Sequence, residues 1–413
     1  MTNGNINKII VITYYPFNKY DYNRFGIELL RNQGFEVEIW DITSCLNKNF
    51  KDELIIEDTQ NFKNLRVFNE NSEIFDAISH LDDGCIINCL IEYSLRTFYL
   101  FRAISKNKIR YCVFGMVSFP SPYQPQQSFI GRIVSLLKKG SALKFNEIVN
   151  HILNKILLKY YFLFGVAPAS IILLGGEKSK GSSSYPINQK TIQLWTHASD
   201  YDIYLQHNTE FTGETGLNNS GKMIGVFLDE YLPLHPDCHY VGLKFPISPE
   251  NYYPKICNFF ECLEKNFNVE IIIAAHPKSD YSNLPDYFGG RTIIKGETGR
   301  LVRKSSFVIT HMSTSINFAV LYHKPIFFIT FDDLQKMVVG KYIPGLYIPA
   351  IASELGKTPI NIDHLSGFNW KHEKEIDNDA YHQYRDNYIK KQGTPENQIW
   401  EIFSRYIQQN NCM

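Results

Sequence analysis

The stretch VEIIIAAHPK, residues 269–278, decides the fold. Its first seven residues are almost continuously apolar, with little sign of the alternation that marks a half-exposed strand. A short run of this kind reads as a strand covered on both faces, the condition of an inner strand in a parallel sheet. Pro277 ends the run, because proline has no N–H to give to a strand ladder. His276 therefore stands at the carboxyl end of a buried strand, where open α/β sheets bind their ligands. Lys278 places a positive charge next to it.

The same grammar extends to both sides. Upstream, 223–228 (MIGVFL) reads as a strand and 252–266 as a helix. Downstream come a short strand at 291–294, a short helix at 298–304, a strand at 307–310, a helix at 315–322 and a strand at 325–330 (PIFFIT). In the first half, 8–13 (KIIVIT) is a strand and 23–32 a helix closed by Gly34, with 35–40 the next strand. That order is a βαβ unit. The aromatic and polar loop 14–22 falls at the carboxyl edge and has no GxGxxG, which excludes a dinucleotide fingerprint. Strands follow at 85–90, 111–114, 170–174 and 202–206 (DIYLQ), with a helix at 94–105. The loop 175–184 lacks the GKS/T ending of a P-loop. The Gly/Asn-rich segment 213–221 reads as a linker. The expected class is α/β with two doubly wound Rossmann-like domains, 1–215 and 222–375. A helical tail, 376–413, is expected to pack back on the N-terminal domain.

Composition narrows the partners. The 413 residues carry 42 Lys+Arg against 42 Asp+Glu, so no basic excess points to nucleic acid. The eight cysteines include no CxxC pair, and the histidines are not spaced to complete a zinc site. Asp200-Tyr201-Asp202 has the form of a metal-binding DxD, but it precedes its expected strand and reads as a turn. No metal or cofactor is expected. The polar start and the absence of a long apolar stretch predict a cytoplasmic protein. Residues 129–164 add one qualification. Arg132, Lys138, Lys139, Lys144, Lys155 and Lys159 stand there among many apolar residues, with Glu147 the one acid. Such a stretch suits the surface of an anionic membrane.

The candidate chemistry gathers at three strand-to-helix turns. His276, Pro277 and Lys278 form the first, suited to a phosphate oxygen. The second is His311-Met312-Ser313-Thr314-Ser315-Ile316-Asn317, where three hydroxyl residues enter a helix. Capping needs one hydroxyl; three, with free N–H groups behind them, suggest an anion site. The third is Lys295-Gly296-Glu297-Thr298, where Glu297 can accept from ribose hydroxyls or a base. Asp229 and Glu230 end the strand 223–228 and are candidate bases for an acceptor hydroxyl. His235-Pro236-Asp237, in the same loop, is a second HP pair.

The order of these motifs resembles the nucleotide-binding half of bacterial GT-B transferases. The similarity is to the sialyltransferases and related enzymes that use CMP-activated acidic sugars. His276-Pro277 matches that family's HP motif and Ser313-Thr314-Ser315 its paired-serine motif, with Lys324-Pro325 before the next strand. The resemblance covers roughly residues 223–333. It implies two domains facing a cleft and a CMP-activated donor, such as a nonulosonic acid or Kdo. It also implies a surface-glycan or lipid-linked glycan acceptor. The family's acidic base motif is matched only by Asp229-Glu230, followed by Tyr231 where the family has Gly. Three other readings fit the same residues: a CDP-glycerol or CDP-ribitol phosphotransferase, a sugar-nucleotide epimerase, and a non-catalytic glycan- or lipid-binding protein.

Overall fold

The computed structural model describes residues 5–46, 62–116, 119–120, 122, 142–181, 184–209, 221–236, 245–339 and 343–411. The chain divides into two compact units. The first comprises 1–118, 124–199 and 393–413; the second comprises 119–123 and 200–392.

The first unit is built on seven strands: β1 (Lys8–Thr13), β2 (Glu36–Asp41), β3 (Leu65–Val67), β4 (Cys85–Cys89), β5 (Arg110–Gly115), β6 (Ile171–Leu174) and β7 (Ile192–Trp195). They pair in the order β3-β2-β1-β4-β5-β6-β7, all parallel. Alternate residues of each inner strand feed opposite faces. Ile10 and Ile12 join one core with Ile87, Tyr111 and Val113. Ile9 and Val11 join another with Ile86, Cys112 and Leu173. With both faces covered, the middle of β1, Ile9 to Ile12, and all of β6 are apolar.

The second unit carries β8 (Met223–Leu228), β9 (Val269–Ala275), β10 (Ile293–Lys295), β11 (Phe307–Thr310), β12 (Ile326–Thr330) and β13 (Ile360–Asn361). Their order is β10-β9-β8-β11-β12-β13, again all parallel. Helix Pro249–Phe267 links β8 to β9. Pro249 opens it, Pro254 follows within its second turn, and Asn268, in the left-handed region at φ 53°, is at the end. It buries Tyr252, Ile256, Phe259, Phe260 and Leu263.

Gly225 lets β8 lie between its neighbours. A Cβ there would fall 2.5 Å from a Phe307 ring carbon and 2.7 Å from Ile271 Cδ1. Gly225→Ala is therefore expected to destabilise the second unit by about 1–3 kcal/mol through overpacking. Urea unfolding followed by circular dichroism checks this; an unchanged midpoint would refute it.

Several sequence expectations need correction. Residues 202–206 are not a strand but part of helix Ser199–Thr209. Asp200 and Asp202 occupy its first turn, where acids favour the helix dipole. Asp200 also accepts from Asn317 Nδ2 at 2.9 Å, so it is used in packing. The helix expected at 23–32 is two short helices, Lys19–Arg24 and Ile27–Asn32, broken at Gly26 with φ 57°. The edge strands β3, β7 and β13 are short and partly exposed, and their sequences carry no apolar run.

The division between units falls ahead of the Gly/Asn-rich segment, of which residues 213–220 lie outside the described residues. Helix Ser199–Thr209 belongs to the second unit, where His207 Nδ1 meets Tyr322 Oη at 2.9 Å. The chain returns to the first unit at Gly393. Helix Ile399–Asn411 then places Ile399, Trp400, Phe403 and Ile407 in the first unit's core. Trp400 Nε1 donates to Arg24 O at 2.9 Å, and the Asn411 amide exchanges two hydrogen bonds with the Ile6 backbone. Among the described residues no helix is long and apolar enough to cross a membrane.

Candidate functional site

In the second sheet the strand order reverses between β8 and β11. A crevice opens at such a switch point, at the carboxyl edge, because the chains leaving the two strands run to opposite faces. Asp229, Glu230, His276, His311 and Ser313 all follow strand ends at that edge. The fold thus brings together residues up to 84 positions apart in the chain, which is the separation of Asp229 and Ser313.

His276 follows β9 and is partly buried. Its Nδ1 accepts the Lys278 amide at 3.1 Å. The neutral ring accordingly carries its proton on Nε2, a donor for an anionic oxygen. The turn beneath is held by Ser279, whose N–H and Oγ both reach His276 O at 2.9 and 2.7 Å. Lys295 Nζ ties that turn to the end of β10 through Ser279 O at 2.7 Å. The ring of His235 packs against His276 with centroids 4.8 Å apart. Pro277 and Lys278 are exposed.

The acidic pair divides. Asp229 is 3% exposed and accepts from Tyr231 N at 2.9 Å, Tyr281 Oη at 2.8 Å and His276 N at 3.5 Å. Burial raises its pKa above the usual carboxylate range, and these donors oppose the rise. With three donors around it and almost no exposed surface, Asp229 positions the β9 turn; it is not placed to meet an acceptor hydroxyl. Glu230 is only partly buried. Its Oε1 accepts Met312 N at 2.7 Å and Thr310 Oγ1 at 3.5 Å. Burial pushes its pKa up to about 7, with the Met312 amide opposing and the Asp229 charge adding. A carboxyl poised there can exchange a proton near neutral pH.

Glu230 ionises more readily in the unfolded chain than in this site, so its ionisation opposes folding. Its contribution to stability is fullest below pH 4.5 and falls as the pH rises to about 7. Glu230→Gln keeps an acceptor for Met312 and removes the ionisation. We expect it to leave stability unchanged at pH 4.5 and to raise it at pH 8 by on the order of 1–2 kcal/mol. Melting curves at the two pH values test this, and equal shifts at both would refute it.

His311 is corrected from phosphate ligand to buried strut. It is fully buried, with Nδ1 at 2.7 Å from Ile329 O and Nε2 at 2.9 Å from Tyr252 Oη. A carbonyl only accepts, so Nδ1 carries the proton and Nε2 receives the tyrosine hydroxyl. Burial lowers its pKa to about 4, which keeps the ring neutral. Both nitrogens are occupied in holding the loop.

The hydroxyl cluster precedes a short helix, Ile316–Leu321. Thr314 is exposed and Ser313 and Ser315 are partly buried. Ser313 Oγ accepts Ser315 N at 3.3 Å, and Ser313 N donates to Thr310 Oγ1 at 3.2 Å. Glu297 is exposed, follows β10 and pairs with Arg300 at 3.5 Å; Thr298 begins helix Thr298–Lys304. Of the second HP pair, His235 and Pro236 are placed, and residue 237 lies outside the described residues. Among the described residues no group of three or more His, Cys, Asp or Glu is arranged to hold a metal ion. Sequence reading missed Tyr281 and Tyr252, which position the site from elements distant in the chain.

The first unit has its own opening at the equivalent edge. A cavity of about 290 Å³ lies at the ends of β1, β4 and β5, and Tyr14, Tyr15, Asp21, Arg24, Tyr185 and Trp400 contribute to its walls. Burial raises the Asp21 pKa, and Arg24 opposes the rise. The aromatic loop 14–22 supplies three of these residues, Tyr14, Tyr15 and Asp21. Trp400 comes from the C-terminal helix, which no local sequence signal connects with this edge.

No family model matches the chain, and no curated protein matches it. Solved structures do. The wall teichoic acid polymerase TagF is 12% identical, covering 99% of this chain and 90% of its own, with a TM-score of 0.46. MurG from Acinetobacter baumannii is 8% identical over 98% of this chain and 99% of its own, at 0.44. MnaA from S. aureus, solved with UDP, is 12% identical over 98% and 97%, at 0.43. The class itself rests on the strand orders: the protein is a tandem of two doubly wound, all-parallel α/β units.

Proposed function

We propose that this protein is a nucleotide-dependent transferase of the GT-B type, with the donor phosphates held by the second unit. The observation that carries the reading is the carboxyl edge at the β8/β11 switch point. There the His276 turn, Lys278 and the loop 311–315 converge, and a carboxylate oxygen of Glu230 already sits 2.7 Å from the Met312 amide. An amide that binds one anionic oxygen is suited to bind another. In this reading His276 Nε2 and Lys278 take charge that develops on the phosphate as the nucleotide leaves. Ser313, Thr314 and Ser315 supply hydroxyls and amides to the same oxygens, and Glu297 and Thr298 face the nucleoside. Glu230 serves as the base.

The preferred donor is a CMP-activated acidic sugar, for which the sequence resemblance speaks, and the reaction needs no metal or cofactor. The acceptor is a hydroxyl of a glycan, bound in the aromatic cavity of the first unit. A second reading, phosphoryl transfer from a CDP-polyol, is favoured by one observation. The rings of His235 and His276 meet edge to face with centroids 4.8 Å apart, a pair able to accept a hydroxyl proton without either acid.

The test is thermal stability with CMP, CDP, UDP and GDP in the presence of a chelator. A ligand that binds the folded state raises the melting temperature by mass action. CMP is expected to give the largest rise. A larger response to CDP favours the polyol reading, and one to UDP a hexose donor or an epimerase. No response to any nucleotide would leave the non-catalytic binding protein.

A further inference from the structure

Helix Ala142–Lys159 inverts the usual rule for a surface helix. Its inner side is tied down: Leu157 is buried, and Asn154 Oδ1 accepts Leu95 N at 2.8 Å. Leu158 and Tyr161 pack against the first unit's core. Its outer side should then be polar. Instead Leu153 is 41% exposed, Ile156 43% and Tyr160 38%. These positions recur at spacings of three and four, so they form one stripe.

The stripe continues into the turn Tyr161–Phe164, where Phe162 is 60% and Leu163 72% exposed and Phe164 40%. Gly165, at φ 73°, closes that turn. Six large apolar side chains thus meet solvent in one short segment, a patch that soluble surfaces rarely leave bare.

Cations border the patch. Lys155 and Lys159 are exposed on the last two turns of the helix, and Lys159 Nζ lies 5.2 Å from the Tyr160 ring centroid. The exposed Arg102 approaches from helix Phe98–Lys106, its Nε 3.5 Å from where a Gly165 Cβ would be. No acidic residue occurs in the sequence between Glu147 and Glu177.

We propose that this patch docks the first unit on an anionic lipid bilayer, with Phe162, Leu163 and Phe164 entering the interface and Lys155, Lys159 and Arg102 meeting lipid phosphates. Two features favour lipid over a protein partner. The apolar tips are consecutive on a tight turn, which makes a wedge and not a groove. The surrounding charge is of one sign, which complements a uniformly anionic plane. Tyr160, with an apolar ring and a polar tip, fits the boundary between the two. The inference stands independently of the nucleotide reading.

The test floats the full chain with vesicles of phosphatidylcholine, either pure or mixed with phosphatidylglycerol. Binding is expected only with the anionic mixture and is expected to weaken as salt is raised. Phe162→Ser with Leu163→Ser should reduce binding at least about tenfold. Lys155→Glu with Lys159→Glu should also reduce it at least about tenfold, since each lysine near such a surface is worth about fivefold. All four positions are exposed, so both variants should melt as the parent does, which separates lost docking from lost folding. No flotation with the anionic vesicles would overturn the proposal, as would flotation that neither variant changes. Sedimentation showing a dimer that Phe162→Ser with Leu163→Ser dissolves, without vesicle binding, would assign the patch to a second copy instead.

Discussion

Replacing His276 with alanine is expected to remove most of the rise in melting temperature that CMP produces, while the unliganded protein melts nearly as before. The ring is partly buried at the end of β9, and its Nδ1 accepts the Lys278 amide, which puts the proton of the neutral ring on Nε2. A hydrogen bond to a charged group contributes about 1.5–3 kcal/mol, so nucleotide affinity should fall by roughly tenfold to a hundredfold. If the same contact strengthens as the phosphate leaves, turnover should fall by about 10²–10³. Calorimetric titration with CMP measures the first effect and product release the second. His276→Ala binding CMP as tightly as the parent would remove the imidazole from the phosphate site. The turn would survive in the variant because Ser279 holds the backbone carbonyl of residue 276, not its ring.

The second large effect is expected at Trp400→Ala. Trp400 is 2% exposed and packs on Phe114 and Phe403 with ring centroids 5.7 Å away in each case. Deleting a buried aromatic of this size costs about 3–5 kcal/mol. The Arg24 carbonyl would also lose its donor. The first unit should therefore unfold at markedly lower urea. The second unit should still respond to CMP, because its core is separate and contains none of helix Ile399–Asn411. A loss below about 1 kcal/mol would mean that the terminal helix is not part of the first unit's core. Gly26 belongs to the same contact: its backbone is left-handed, and a Cβ there would collide with the Trp400 ring.

The sequence alone determined the β/α alternation, because a strand buried on both faces must be largely apolar, and 8–13, 269–275 and 325–330 are so locally. It also located His276 and the 311–315 loop at the carboxyl edge of the second sheet, since a polar residue directly after such a strand leaves the sheet at that end. It did not determine the edge strands β3, β7 and β13, which are short and partly exposed and so need little apolar patterning. Nor did it separate helix from strand at 202–206, where five residues fit either period and Asn317, over a hundred residues later, holds Asp200 in a helix.

Which ionisable groups remain available to a ligand was decided only by tertiary structure. Asp229 and Glu230 are neighbours of like chemistry, yet Tyr281 and two amides enclose the first, while the second reaches Met312. His276 and His311 both follow apolar strands, yet Tyr252 and the Ile329 carbonyl close over His311. Burial and hydrogen bonding depend on residues brought in from elsewhere in the chain, and these set both the pKa of a side chain and its access to a ligand.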